Sequence, residues 1–119
     1  MGCNMKKNMH IKLVNDNNII LEEDLTYLSN NNTITFFIDN IKNTINLNEQ
    51  LFIRENEEYT FTLDILNKKS TLLLKKENYL LHLKVDYAIL LTNQNNYEIS
   101  YHLESQENDT LIILELEGE

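Results

Sequence analysis

The stretch that decides the fold covers residues 79–104 and reads YLLHLKVDYAILL, then TNQNN, then YEISYHLE. Apolar and polar side chains alternate along both halves, and a period of two places alternate residues on opposite faces of a β-sheet. The asparagine-rich run 92–96 between the halves is typical of a tight turn. Residues 79–104 are therefore predicted to form a β-hairpin.

The register of this hairpin is predicted by matching apolar with apolar residues and charges with opposite charges. Pairing Thr92 with Asn96 leaves a loop at 93–95, which would carry a left-handed residue near its end. Matched pairs of this kind contribute about 0.2–1 kcal/mol each, and a slip of one residue would exchange the two faces. The pairs expected are Ile89 with Ile99, Tyr87 with Tyr101, Val85 with Leu103, Asp86 with His102 and Lys84 with Glu104.

The rest of the chain alternates in the same way and predicts further strands with short polar links. Residues 19–28 also fit a helix, through Leu21, Leu25 and Leu28. We favour a strand there because the loop SNNN leads directly into the cleanly alternating run 33–39. The expected strands outside the hairpin are 10–14, 19–28, 33–39, 41–47, 51–54, 59–66, 71–76 and 110–117.

This pattern predicts an all-β protein with little or no helix. About eight to ten short strands linked by hairpins are typical of an antiparallel up-and-down β-barrel. Closure removes the exposed sheet edges that invite aggregation, so a barrel is favoured over a two-sheet sandwich. We expect residues 1–8 to form a disordered tail and residues 9–117 to form a single barrel domain.

Composition excludes several functional classes. The chain of 119 residues has a net charge of −9, one arginine, Arg54, no proline, and glycine only at positions 2 and 118. With 10 Lys and Arg against 19 Asp and Glu, such a chain has no excess of the cations that nucleic acids and anionic membrane surfaces require of their partners. The single cysteine, Cys3, allows no intramolecular disulfide, and no apolar run could span a membrane, so a cytoplasmic location is expected. Asparagine must replace glycine in the turns.

The chain resembles a known family in two regions: LEEDLTYLSNNNTITFFID, and YTFTLDILNKKSTLLLKKENYLLHLKV followed by NNYEISYHLES. These resemble the YwiB-like family of calycin-like β-barrels (domain-of-unknown-function family 1934), which are uncharacterised bacterial proteins. The resemblance covers roughly residues 10–117, and Asn78 stands where the family has a turn glycine. It implies a small lipocalin-like barrel from a bacterium and implies no activity.

No catalytic, cofactor or metal motif is visible. The three histidines, His10, His82 and His102, lack metal-ligand spacing, and no nucleophile elbow or glycine-rich phosphate loop occurs. The acidic runs 22–24 and 55–58 lack the alternating oxygen ligands and turn glycine of a calcium loop, so we interpret them as solvated. An enzyme is therefore the least favoured class.

Two hypotheses remain, and both depend on the aromatic residues that alternate inward. An aromatic-lined lumen with a few polar groups would bind a small, partly apolar ligand. A lumen filled by its own side chains would instead leave an acidic module that meets an unknown protein partner. The residues expected to line the lumen are Glu23, Tyr27, Phe36, Phe61, Tyr79, Tyr87 and Tyr101.

Overall fold

The computed structural model describes residues 5–117, and every regular element in that range is a β-strand. The ambiguous run 19–28 lies within a strand, as predicted. The strands are β1 (Met5–Asn15), β2 (Asn18–Asn30), β3 (Thr33–Ile38), β4 (Ile41–Asn46), β5 (Leu51–Glu55), β6 (Tyr59–Asp64), β7 (Lys69–Leu74), β8 (Tyr79–Asn93), β9 (Asn96–Leu103) and β10 (Thr110–Leu116).

The ten strands form a closed antiparallel up-and-down barrel, which confirms the predicted fold class. Each strand pairs with the next along the chain, and β1 closes the ring by pairing with β10 as well as with β2. The first strand begins earlier than expected. Residues 5–8, which we assigned to a disordered tail, pair with residues 26–29 of β2. Residues 1–4, including Cys3, lie outside the described range.

Asparagine and other non-glycine residues make the tight turns, as the composition required. Nine non-glycine residues in the described chain have positive φ. The turns Asp16-Asn17 and Asp39-Asn40 have two such residues in succession, with φ of 48° and 69° and of 48° and 66°. Two positive φ angles in a two-residue loop are the requirement of a type I′ hairpin, which matches the right-handed twist of the strands.

The predicted register of the β8–β9 hairpin is correct at its base and wrong beyond it. Val85 pairs with Leu103, but Tyr87 then pairs with His102 and Ala88 with Tyr101. A β-bulge between Val85 and Tyr87 is the cause, because the extra residue moves every later side chain of β8 to the opposite face. The bulge also shortens the loop from three residues to two, with Asn93 opposite Asn96.

Two features of the predicted outer face survive this shift. His102 Nδ1 lies 2.6 Å from Asp86 Oδ2, the contact expected from the charges. The backbone N–H of Glu104 donates to the carbonyl of Lys84 at 2.9 Å. Because of the bulge, Tyr87 and Ile89 lie on the outer face rather than on the expected inner face. The Tyr87 ring stacks on the His102 ring, with 6.2 Å between the centroids.

Strands β2 and β8 are longer than their neighbours, and on at least one side each has a ladder partner along only part of its length. Residues 79–84 of β8 pair with β7, whereas Val85 and residues 87–93 pair with β9. Likewise β2 pairs with β1 along nearly its whole length but with β3 only at residues 28–30. The ring closes through these two staggered strands, each of which turns a corner of the barrel.

Inward-facing side chains fill the middle of the barrel. Its largest fully buried members come from strands all around the ring, so the core is one continuous cluster rather than two layers. These fully buried apolar residues are Ile11, Phe36, Ile45, Phe52, Leu63, Ile99 and Leu114.

Phe52→Ala should destabilise the barrel by about 3–5 kcal/mol, because deletion of a fully buried aromatic side chain loses transfer free energy and leaves a cavity. Phe52 is 0% exposed, whereas Phe37 is 55% exposed and offers a matched control. Urea unfolding of both variants measures the difference. A loss of under about 1 kcal/mol for Phe52→Ala, or equal losses for both, would contradict the described core.

Candidate functional site

The most distinctive polar group inside the barrel is Arg54 on β5. Arg54 follows the buried Phe52 by two residues and therefore points to the same inner face. Its ladder neighbours are Asn43 on β4 and Phe61 on β6, both buried. The Nε atom of Arg54 is buried and has no hydrogen-bond partner in the described chain. A buried donor without a partner carries a free-energy penalty that a suitable acceptor would remove.

Tyr101 on β9 faces Arg54 across the lumen. Its ring lies 6.4 Å from the ring of Phe52 and 6.1 Å from that of Phe61, measured between centroids. Burial raises the pKa of Tyr101, while the positive charge of Arg54 and a hydrogen bond with Thr110 act to lower that pKa. Tyr59 also acts electrostatically on Tyr101. One arginine and two tyrosines thus converge at this end of the barrel.

Two cavities open on either side of this group. The larger has a volume of about 500 Å³ and the smaller about 200 Å³, and both are lined by Arg54, Tyr101 and Gln106. Small-molecule sites in proteins typically occupy about 300–1,000 Å³. The other residues lining the larger cavity are Leu13, Asn15, Ile20, Glu107, Asn108, Thr110 and Ile112, and those lining the smaller are Tyr59, Phe61, Leu72, Leu83 and Leu103.

The electrostatics of this site favour an anion close to Arg54. None of the ion pairs found among residues 5–117 involves Arg54. A partly buried charge without a counter-charge is costly, and a guanidinium presents a fork of donors suited to carboxylate or phosphate. Glu107 lines only the larger cavity, and the smaller cavity has no carboxylate among its lining residues.

Four of the seven residues predicted to line the lumen are buried inside the barrel: Tyr27, Phe36, Phe61 and Tyr101. The structure brings only two of these to the cavities, since Tyr101 lines both and Phe61 lines the smaller. Tyr27 and Phe36 belong to the packed core.

None of the other three residues is buried inside the barrel. Tyr87 lies outside because of the bulge. Tyr79 begins β8 where β9 does not run beside it, so its side chain is exposed. Glu23 pairs with the buried Ile11 and shares its face, yet it is exposed because β3 does not run beside that part of β2.

Sequence reasoning missed Arg54, Asn43, Tyr59 and Gln106 as site residues. The spacing of Arg54 from Phe52 is the sequence signal for it, because a separation of two residues in a strand predicts an inward side chain. Asn43 lies two residues from both Ile41 and Ile45, so it shares their face and carried the same signal. Gln106 lies in the loop between β9 and β10, and no period extends to it.

The other polar clusters are on the outer surface. His10 lies between Asp24 and Glu22, with 2.7 Å from Nδ1 to Asp24 Oδ1 and 2.7 Å from Nε2 to Glu22 Oε2. Residues 5–117 contain no group of acidic, histidine or cysteine side chains that could hold a metal ion. None of the described residues forms a helix long and apolar enough to cross a lipid bilayer.

Asp86, His102 and Ser100 do not form a catalytic triad. Asp86 hydrogen-bonds His102, which also interacts with the backbone of Gln106, with the ring of Tyr87 and electrostatically with Asp109. Ser100 instead hydrogen-bonds the Tyr87 side chain. The serine is therefore not presented to the histidine as a nucleophile must be to its base.

These surface histidines make stability depend on pH. The hydrogen bonds that the His10 ring donates to Asp24 and Glu22 raise the pKa of His10, and the bond that the His102 ring donates to Asp86 raises the pKa of His102. Their contribution is fully present below the unfolded pKa near 6.5 and is lost as pH rises through the raised folded values. The bond to His10 lowers the pKa of Glu22, whose contribution is present above 4.5 and lost as pH falls through the lowered folded pKa.

We therefore expect a higher thermal unfolding midpoint at about pH 6 than at about pH 8.5. The double variant His10→Gln/His102→Gln should flatten this difference. His82→Gln, which removes a histidine outside both clusters, should leave it unchanged. A double variant that keeps the full wild-type pH dependence would show that the two clusters do not cause it.

Comparison of the chain with protein-family models, with curated proteins and with solved structures found no match. The resemblance to the calycin-like family stays a prediction.

Proposed function

We propose that this protein is a binding module that holds a small ligand with an anionic head group and a partly apolar body at the Arg54 end of the barrel. The observation that carries the proposal is the buried Nε of Arg54, which has no hydrogen-bond partner in the described chain and belongs to a residue that lines two cavities.

The head group would be bound by the guanidinium of Arg54. Hydrogen bonds between ionised partners are roughly twice as strong as neutral ones, and a carboxylate or phosphate accepts from two guanidinium nitrogens at once. The hydroxyl groups of Tyr59 and Tyr101 supply further donors near the same position. The ligand would satisfy the buried Nε and neutralise a charge that has no ion-pair partner among residues 5–117.

The body of the ligand would lie against apolar side chains. Phe61, Leu72 and Leu83 line the smaller cavity beside Arg54, and Ile20 and Ile112 line the larger one. Contact with these residues favours an aliphatic or aromatic body by about 25 cal/mol per Å² of apolar surface removed from water. The packed middle of the barrel limits how deep the body can reach, which favours a short body.

A solid barrel that acts through its outer surface is the second candidate. The observation that favours it is the same packed middle, where the side chains of Phe36, Phe52 and Leu63 are at most 1% exposed. The two candidates differ in what Arg54 does: a ligand site needs its charge, whereas a solid barrel would be more stable without a partly buried, unpaired cation.

The test is titration calorimetry with octanoate and with octanol, which share a chain and differ in the head group. We expect octanoate to bind more tightly than octanol. Arg54→Gln should weaken octanoate binding by about 10- to 150-fold, because hydrogen bonds to charged groups contribute about 1.5–3 kcal/mol. Octanol should be unaffected by the substitution.

Lys42→Gln is the matched control, since it removes the same charge from an exposed position on β4. It should leave octanoate binding unchanged. Octanoate binding that Arg54→Gln does not alter, or no binding below about 1 mM, would refute the proposal. Thermal unfolding of each variant confirms that it is folded.

A further inference from the structure

Strand β8 has an edge that the barrel itself does not use. Residues 79–84 pair with β7 on one side. The first residue of β7, Lys69, lies opposite Lys84, so β7 does not extend beside the later residues of β8. From residue 87 to residue 93, β8 pairs with β9 alone. Within the described chain, the other side of residues 87–93 therefore has no ladder partner, and its row of N–H and C=O groups is open to a further strand.

Strand β2 has a second open edge, and the two edges differ in charge. Residues 18–26 of β2 pair with β1 but have no ladder partner on the β3 side in the described chain. Glu22, Glu23 and Asp24 lie in the middle of that edge, and charged residues are the usual protection of an edge against further pairing. Residues 87–93 read YAILLTN and contain no charge at all.

The unprotected edge also exposes large apolar side chains. Ile89 is 48% and Leu91 is 56% exposed, and both lie on the outer face because of the bulge at Asp86. A long, open and apolar edge strand is a site for pairing with another strand. We propose that residues 87–93 of β8 pair antiparallel with the same residues of a second copy of this chain, forming a two-fold dimer with one continuous sheet.

The sequence of the edge is complementary to itself. With the two-fold axis at Leu90, Ile89 of each copy lies opposite Leu91 of the other, and Ala88 lies opposite Thr92. The four outer side chains form one apolar cluster, and each apolar cross-strand pair contributes about 0.2–1 kcal/mol. No like charges meet along residues 87–93.

Charges beyond the edge fit the same arrangement. Three lysines and one carboxylate line a surface cavity at one end of the edge, which leaves that end with an excess of positive charge: Lys68, Lys69, Lys84 and Glu104. Glu98 and Glu115 line a groove with Leu91 at the other end. Antiparallel pairing brings the lysine end of each copy towards the carboxylate end of the other. This local attraction opposes the repulsion between two chains of net charge −9.

Pairing through the β2 edge is less favourable. Two β2 edges side by side would oppose the acidic residues 22–24 of both copies, and like charges directly opposite are destabilising. Pairing β2 of one copy with β8 of another would leave free edges at both ends and produce open chains of molecules rather than a closed dimer.

The test is sedimentation velocity of the full chain over protein concentrations up to about 0.5 mM in about 0.15 M salt, which screens the net charge. We expect a monomer–dimer equilibrium. Leu91→Lys and Ile89→Lys should each weaken dimerisation at least about tenfold, because they place two lysines in the apolar cluster. Both positions are about half exposed, so both variants should fold with thermal midpoints close to that of the wild type.

Ile19→Lys is the matched control, since Ile19 is 56% exposed on the β2 edge. It should dimerise as the wild type does. A wild type that stays monomeric throughout, that forms open-ended oligomers, or whose dimer is lost in Ile19→Lys but kept in Leu91→Lys would overturn the proposal. Amide hydrogen exchange should slow in residues 87–93 on dimerisation, and slowing confined to residues 18–26 would also overturn it.

Discussion

The structure depends on a single constraint: alternate residues of a strand face opposite sides of the sheet, so one extra residue reverses every face that follows it. The extra residue in β8 is Asp86, in the bulge between Val85 and Tyr87. At this bulge β8 stops pairing with β7 and starts pairing with β9, so the strand turns a corner of the barrel. Ala88 rather than Tyr87 then lies opposite Tyr101, whose ring extends across the lumen towards Phe52 and Phe61.

The bulge in β8 affects both proposed sites, the Arg54 site inside the barrel and the open edge outside it. Inside the barrel, the small Ala88 beside Tyr101 leaves the Tyr101 ring free to reach the β5–β6 side, where Arg54 lies. Outside, Ile89 and Leu91 are displaced onto a surface that no other strand of the described chain covers. The two sites are independent, because Arg54 lines neither the groove beside Leu91 nor the edge of β8.

Much of this fold follows from local patterns, and the exceptions have physical reasons. Alternation predicted the strands, and the lack of glycine and proline predicted turns built on asparagine, because both are properties of neighbouring residues. The barrel followed from the number of strands and the need to close their edges. The bulge could not be predicted, since Ala88, Ile89, Leu90 and Leu91 are all apolar and fit either face. The inward direction of Arg54 could be read from its spacing to Phe52. That Arg54 Nε has no hydrogen-bond partner in the described chain could not be predicted from the sequence, because the residues around it, such as Tyr101 and Gln106, are distant in sequence.

The measurement that tests this account most directly is the set of cross-strand nuclear Overhauser effects between β8 and β9 in the dilute, monomeric protein. The account predicts contacts between the backbones of Ala88 and Tyr101 and between those of Tyr87 and His102, with Val85 still opposite Leu103. Contacts that instead join Tyr87 to Tyr101 and Ile89 to Ile99 would show a hairpin without the bulge. That result would return Ile89 to the inside of the barrel and remove the apolar edge.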